Sequence, residues 1–170
     1  MIYSLLFTYY KKNTMNSQSP LILPENYEVL ITDIQDNDLK SIGDSLGVRR
    51  LDETEKQYAT LPVRGIMRGI SVRMFVPLVI GYKDVYIHVI FLIDTGSPNT
   101  YLKTDTFEKL GFKDNIPSDV NMEIQGTTLT VYPSHSHFGN VDLLGQDFMT
   151  QMNIRMVADY KNKTILLDHA

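Results

Sequence analysis

The sequence contains no cysteine, which excludes disulfide bonds, thiol catalysis and cysteine-based zinc sites. This absence fits a reducing compartment, so we expect an intracellular, cytoplasmic protein. No apolar run approaches the roughly 20 residues of a transmembrane helix, and we expect no membrane partner. The net charge of −4 and the scattered Lys and Arg residues provide no basic patch for nucleic acid. We therefore expect a globular protein whose 170 residues form one domain with an appended arm.

The hydrophobic pattern divides the chain into two parts. Residues 1–60 are interpreted as an N-terminal α/β extension of unknown function. Alternating apolar residues predict a short strand over Tyr27–Ile34, and a helix is predicted to start with Asp36 as its N-cap and to stop at Gly47. Residues 66–170 form the second part, in which the apolar residues alternate as they do in β-strands.

Three β-hairpins are predicted in the second part. A short helix is predicted where Asp105 and Glu108 fit a capping pattern, and another over Gln146–Met152. This composition of elements is mostly β and is compatible with a small closed β-barrel. The hairpin turns are expected at residues 81–84, 125–126 and 161–163.

A carboxylate follows the most apolar predicted strand. The run Phe91–Ile93 is typical of a buried strand, and Asp94 comes directly after it. Thr95, Gly96 and Ser97 continue the segment as turn-forming residues. A buried ionised carboxylate is costly unless it is hydrogen-bonded or shares its proton, which indicates a function. The alternative from these residues alone is a strand-end aspartate that caps a turn.

Three segments together resemble one protein family. Asp94–Ser97 resembles the catalytic loop of the aspartic proteases, and more closely of their retropepsin-like branch in retroviruses, retrotransposons and some cellular proteins. Leu143–Phe148 resembles that family's second signature, an apolar pair, a glycine and a short helix. Asp159–Leu167 resembles the last hairpin of retrotransposon proteases and suggests a retrotransposon-derived protein. The resemblance covers residues 70–168 and implies the single-lobed acid protease fold, a retropepsin-like closed β-barrel.

The resemblance implies an aspartic endopeptidase with Asp94 as the catalytic residue. In this family two carboxylates share one proton and activate a water, because two like charges so close cannot both persist. The sequence holds no second Asp-Thr-Gly or Asp-Ser-Gly, so the active form would be a symmetric homodimer. A polypeptide substrate would bind extended across the dimer cleft. No metal or organic cofactor is implied, and neither nucleic acid nor a membrane is an expected partner.

The resemblance also gives the neighbours of Asp94 supporting roles. Thr95 would buttress the loop through its hydroxyl. Gly96 would allow a tight backbone path and offer its N–H to a carboxylate. Ser97 would hydrogen-bond the outer oxygen of Asp94. Residues 164–168 would join an intersubunit sheet.

One departure from the family pattern bears on activity. The family has a glycine-tipped flap hairpin where this chain has only Phe112–Asp119, which cannot supply two strands and a tip. An alternative function is therefore a retroelement-derived dimerisation or peptide-binding module with weak or no catalysis. A third alternative is an interaction scaffold that uses residues 27–60.

Two other polar features have simpler interpretations. His135 and His137 have a spacing that metal sites use, but no further ligand completes a set, and a solvated loop is favoured. Asp147 is expected to cap the short helix rather than to take part in catalysis.

Overall fold

The structure, a computed structural model, describes residues 34–56, 60–69, 71–113 and 115–170. The predicted strand over Tyr27–Ile34 lies outside these residues except for Ile34. In chain order the elements are α1 (Asp36–Leu46), β1 (Val63–Arg68), β2 (Arg73–Tyr82), β3 (Val85–Ile93), β4 (Thr100–Leu102), α2 (Thr104–Lys109), β5 (Val120–Ile124), β6 (Thr127–Pro133), β7 (Asp142–Leu144), α3 (Gln146–Gln151), β8 (Ile154–Asp159) and β9 (Thr164–His169).

Six strands close into a barrel. Around the ring the order is β3, β7, β4, β6, β5 and β2, and β2 pairs again with β3. The β3–β7 and β4–β6 pairs are parallel, and the other four are antiparallel. From β2 the sheet extends outward through β1 and β9 to β8. The prediction of a mostly β fold with a closed barrel and short helices is confirmed, and all three predicted hairpins are present.

Strand β3 is buried on both faces, which explains its unbroken apolar sequence. Val89 and Phe91 lie in the main core inside the barrel. Ile90 and Leu92 alternate with them and lie in a second core between the barrel and α1. The strand that leads into Asp94 is therefore fixed by packing from two sides.

Helix α1 supplies the outer side of this second core. Leu39 and Ile42 are almost fully buried, and removing each side chain from water contributes about 1.5–3 kcal/mol. Gly47 ends the helix with φ of 73°, as predicted, because a residue without Cβ adopts this conformation at little cost. The N-cap is Gln35 rather than Asp36, and its N–H donates to the Asp38 carboxylate at 2.9 Å.

The segment after α1 runs along the edge of β3 before β7 begins to pair with it. Leu51 N–H donates to the His88 carbonyl at 2.7 Å, and Thr54 N–H donates to the Tyr86 carbonyl at 2.9 Å. The N-terminal extension therefore satisfies backbone groups of the strand that carries Asp94.

The structure corrects one local expectation. Asp105 does not cap α2, whose N-cap is Lys103; its carboxylate binds Arg50 instead. Strand β9 is paired with β1 through residues 164–167 on one side and with β8 on the other, so β8 forms the edge of the described sheet. That residues 164–168 join an intersubunit sheet stays a prediction.

Within the described ranges, Phe112–Asp119 contains no strand, which agrees with the shortened flap region inferred from the sequence. The longest described helix, α1, has 11 residues, and none of the described helices has the length and apolar character to cross a membrane.

Candidate active site

The Asp94–Ser97 loop connects two strands that are not neighbours. The chain leaves the sheet after β3 and re-enters at Thr100 in β4, while β7 lies between these two strands. Strand β7 is parallel to β3 and antiparallel to β4. The Asp94 N–H donates to the Leu144 carbonyl at 3.0 Å, so the loop is fastened to the end of β7.

The Asp94 carboxylate is half-buried and is held from one side. Its Oδ1 accepts a hydrogen bond from the Gly96 N–H at 2.8 Å. The Ser97 N–H donates to the Asp94 carbonyl at 3.2 Å and closes a tight turn. Oδ2 of Asp94 accepts no hydrogen bond from the described residues, which leaves it open to water or to a second carboxyl group.

Thr95 and Ser97 make different contacts from Gly96, which binds the Asp94 carboxylate. The Ser97 hydroxyl donates to the Asn99 carbonyl at 2.7 Å, so it braces the loop instead of bonding the Asp94 carboxylate, and the expected contact is wrong. Thr95 is exposed, and its carbonyl accepts a hydrogen bond from Gln146 Nε2 at 2.9 Å. Its role as a buttress across a dimer stays a prediction.

Gly145 and the start of α3 support the loop from behind. The Gln146 N–H donates to the Ser97 carbonyl at 2.9 Å. A Cβ on Gly145 would overlap the Asn99 carbonyl oxygen, so only glycine allows this approach. The Leu143–Phe148 segment thus packs against the Asp94–Ser97 loop.

Asp147 ties α3 to β4. Its carboxylate accepts hydrogen bonds from the Thr100 N–H at 2.9 Å and from the Thr100 hydroxyl at 2.7 Å. It also accepts from the Phe148 N–H at 2.8 Å in the first turn of the helix, although the N-cap itself is Gly145. The bond to Thr100 has no local signal in the sequence, because the two residues are 47 positions apart.

A buried ionic cluster lies at the opposite end of β7. The fully buried Asp142 accepts hydrogen bonds from Arg50 Nη2 at 3.0 Å and from the Lys103 N–H at 2.8 Å. Arg50 also forms a two-pronged pair with Asp105, at 2.8 and 2.7 Å. Nothing in the sequence pattern connects Arg50, which lies in the extension, to the barrel.

The electrostatics of this cluster follow from burial. Burial raises the pKa of Asp142, although the Arg50 guanidinium opposes the shift. Burial also acts to raise the pKa of Asp105, but the hydrogen bonds and charge of Arg50 outweigh it and hold that pKa below its usual range. Asp142 has no exposed surface, so it cannot contact a substrate, and Asp94 is the accessible carboxylate of the two.

The described residues contain no group of three or more His, Cys, Asp or Glu side chains placed to hold a metal ion. The His135 ring packs on Phe138, with ring centroids 4.7 Å apart. This histidine therefore belongs to an aromatic surface cluster.

Comparison with known proteins returns a structural likeness only. No family sequence profile matches the chain, and no curated protein sequence does. One similar solved structure is a retropepsin-like aspartic protease from Rickettsia conorii, with 13% sequence identity and a TM-score of 0.48. The alignment covers 65% of this chain and 96% of that chain.

Proposed function

We propose that the protein is a homodimeric aspartic endopeptidase, in which the Asp94 carboxyl groups of two copies share one proton and activate a water molecule. The observation that carries the proposal is the state of Asp94. One oxygen is oriented by the Gly96 N–H at 2.8 Å, and the other has no hydrogen-bond donor among the described residues. This is the state that one half of a two-carboxylate site would have, which supports the proposal.

The reaction divides the work between the two carboxyl groups. The ionised one takes a proton from the water, and the protonated one polarises the carbonyl of the scissile peptide bond. The pair holds one proton because two negative charges at about 3 Å repel strongly, so it titrates as a unit. This chemistry uses no metal and no organic cofactor.

The surroundings of Asp94 support such a role because they fix its position. Its N–H is bound to Leu144, and the loop beyond it is bound through Ser97 to the N-terminus of α3. A catalytic group held in this way loses little conformational freedom when the transition state forms. The proposed substrate is an extended polypeptide, bound through main-chain hydrogen bonds across the dimer cleft.

The first experiment compares the wild-type chain with Asp94→Asn on a library of unstructured peptides between pH 3 and 7. We expect the variant to lose activity by about 100-fold or more, because the amide cannot take a proton from water. Asp84→Asn, a change of the same type at an exposed turn residue, is the matched control and should cleave like wild type. Equal cleavage by Asp94→Asn and wild type would refute the proposal.

The second experiment tests whether the dyad spans two copies. When Asp94→Asn is added in excess to wild type and the copies exchange, mixed dimers carry only one carboxyl group. Total cleavage should then fall although the amount of wild type is constant. Cleavage that is unaffected by the variant, while mixed dimers form, would show that one copy suffices.

A further inference from the structure

The Asp94–Ser97 loop is a β-turn whose central peptide bond joins Thr95 to Gly96. The Ser97 N–H donates to the Asp94 carbonyl at 3.2 Å, so these two residues are the first and the fourth of the turn. The φ of Gly96, the third residue, lies outside the left-handed region. A type II turn requires a positive φ at this position, so the turn is not of type II.

The central peptide of this turn is hydrogen-bonded at both ends. The Gly96 N–H donates to Oδ1 of Asp94 at 2.8 Å, and the Thr95 carbonyl accepts from Gln146 Nε2 at 2.9 Å. A trans peptide unit is planar, with its N–H and C=O pointing in opposite directions. The bond from Gln146 to the carbonyl therefore fixes the direction of the N–H, and Gln146 acts on the Asp94 carboxylate through one rigid unit.

The glycine makes this orientation easy to lose. A rotation of the central peptide by about 180° converts the turn to type II, which needs a positive φ at residue 96. Glycine adopts a positive φ at little cost, so the local sequence does not choose between the two orientations. After the rotation the Thr95 carbonyl would face the Asp94 carboxylate and the Gly96 N–H would point away. Both hydrogen bonds of the central peptide would be lost.

We propose that Gln146 is a positioning residue for Asp94. Its side-chain N–H selects the orientation of the central peptide in which Gly96 binds the carboxylate. Gln146 does not contact the reacting atoms itself. The effect on peptide cleavage rests on the proposed function above, whereas the choice between the two orientations of the turn does not.

The other bonds between α3 and the loop do not replace this contact. The Ser97 carbonyl accepts from the Gln146 N–H at 2.9 Å, and the Pro98 carbonyl accepts from the Asp147 N–H at 3.2 Å. Both bonds hold the chain at or after the end of the turn, so they leave the central peptide free to rotate. Within the described parts of the chain, the Gln146 side chain is the group that binds the Thr95 carbonyl.

The size of the effect follows from the position of Gln146. Its backbone is fixed as the first residue of α3 and by the bond to Ser97, which lowers the entropy that its side chain loses on binding Thr95. The side chain is exposed, so water competes for the same carbonyl. One such hydrogen bond changes an equilibrium constant by about two- to tenfold. We expect the balance between the two orientations to shift by this factor when the bond is removed.

The test uses two substitutions of Gln146 and one matched control in the full chain. Gln146→Met keeps the length of the side chain and removes its N–H donor, whereas Gln146→Lys keeps a donor with similar reach. Gln151 lies in the same helix, is also exposed, and donates from Nε2 to the Thr128 carbonyl at 3.0 Å. Gln151→Met therefore removes the same kind of bond at a place that does not contact the loop.

The first measurement is the proton chemical shift of the Gly96 amide by NMR. An N–H bound to a carboxylate resonates downfield of a free one, and Asp94→Ala provides the reference without a carboxylate. The resonance of Gln146→Met should move from the wild-type position towards this reference. Gln146→Lys should lie close to wild type, and Gln151→Met should coincide with it.

The second measurement is peptide cleavage. The kcat of Gln146→Met should fall by up to about tenfold, because fewer molecules have Asp94 in place at a given time. Its KM should stay within about twofold of wild type, since the substitution leaves the substrate contacts unchanged. Gln146→Lys should recover most of the kcat. Gln151→Met should keep both parameters, which a general loss of stability from removing one such bond of α3 would not allow.

Three results would overturn the inference: an unchanged Gly96 resonance in Gln146→Met, a Gln146→Lys variant that behaves like Gln146→Met, or an unchanged kcat in Gln146→Met although Asp94→Asn is inactive. The proposed function fails separately. If the Gly96 resonance moves as expected but Asp94→Asn cleaves peptides like wild type, Gln146 still positions the loop and the protease proposal falls.

Discussion

Asp94 comes directly after β3 and Asp142 begins β7, the neighbouring parallel strand, and their carboxylates are satisfied in opposite ways. Asp142 opens β7, is fully buried, and receives hydrogen bonds from Arg50 and from the Lys103 N–H. Asp94 follows β3, is half-buried, and receives one hydrogen bond from the described residues, that of Gly96. Among the described parts of the chain, the fold therefore surrounds one carboxylate with partners and leaves one oxygen of the other open.

This difference between the two carboxylates indicates separate roles for the two ends of β7. A buried carboxylate needs a partner because its desolvation costs several kcal/mol, and here the N-terminal extension delivers that partner. A partly exposed carboxylate on a rigid loop needs no such partner to be stable, and it can meet a second copy or a substrate. The Arg50 cluster thus acts in stability, and the Asp94 loop is where the proposed function assigns the chemistry.

The largest expected effect comes from removing Arg50, the partner of Asp142 within the chain. Arg50→Met should lower the free energy of unfolding by about 3–5 kcal/mol, because Asp142 is left buried without its counter-charge. The carboxyl group then takes up a proton more readily, so its pKa in the folded state rises further above the usual value of about 4. The loss should be smallest near pH 4 and grow towards pH 7, as measured by urea unfolding.

Two controls sharpen this result. Adding Asp142→Asn to Arg50→Met removes the uncompensated charge and should recover part of the stability at pH 7. Lys109 also ties α2 to the extension, through Glu53 at 2.8 Å, but this pair is exposed. Lys109→Met should therefore unfold like wild type, since exposed pairs contribute little. A loss in Arg50→Met that does not change with pH would contradict the role assigned to Asp142.

The next effect concerns the loop at the other end of β7. Gly145→Ala should cost about 1–3 kcal/mol, because its Cβ would overlap the Asn99 oxygen and the backbone must shift. The shift displaces the Asp94 loop, so peptide cleavage should fall more than the loss of stability explains. Thermal unfolding and cleavage by the same preparation measure both effects.

Gly139→Ala is the matched control for this prediction. Its φ is −58°, and the nearest atom to a new Cβ is the Ser136 oxygen at 3.3 Å. We expect little change in either measurement. A Gly145→Ala variant that is as stable and as active as wild type would show that the loop is not held by this contact.

Local patterns allow much of the fold and the position of Asp94 to be predicted. Strands β2 and β3 have unbroken or alternating apolar residues around a turn, and the hairpin they predict depends only on neighbours in sequence. Asp94 stands out because a carboxylate directly after such a strand is unusual. The capping of α1 and α2 is predicted less accurately, since a carboxylate at the start of a helix can bind several different partners.

Long-range partners cannot be predicted in the same way. Arg50 and Asp142 are 92 positions apart, and neither carries a signal that names the other. Strand order is a further example: the sequence predicts β8 and β9 as a hairpin, but only the pairing of β9 with β1 shows that β8 is the edge. Burial and edges are properties of the assembled sheet.

The smallest expected effect distinguishes Asp105 from Asp142, the two carboxylates that pair with Arg50. The pKa of Asp105 is lowered in the folded state, so its contribution to stability is complete above its usual pKa and is lost as the pH falls through the folded value. Asp105 is 37% exposed, so solvent screening limits this contribution to about 1 kcal/mol. Asp105→Asn should therefore be less stable than wild type at pH 6, and the two unfolding curves should converge as the pH falls below about 4. A difference that persists unchanged at pH 2.5 would mean that the side chain acts through packing, and that the charge of Arg50 is balanced by Asp142 alone.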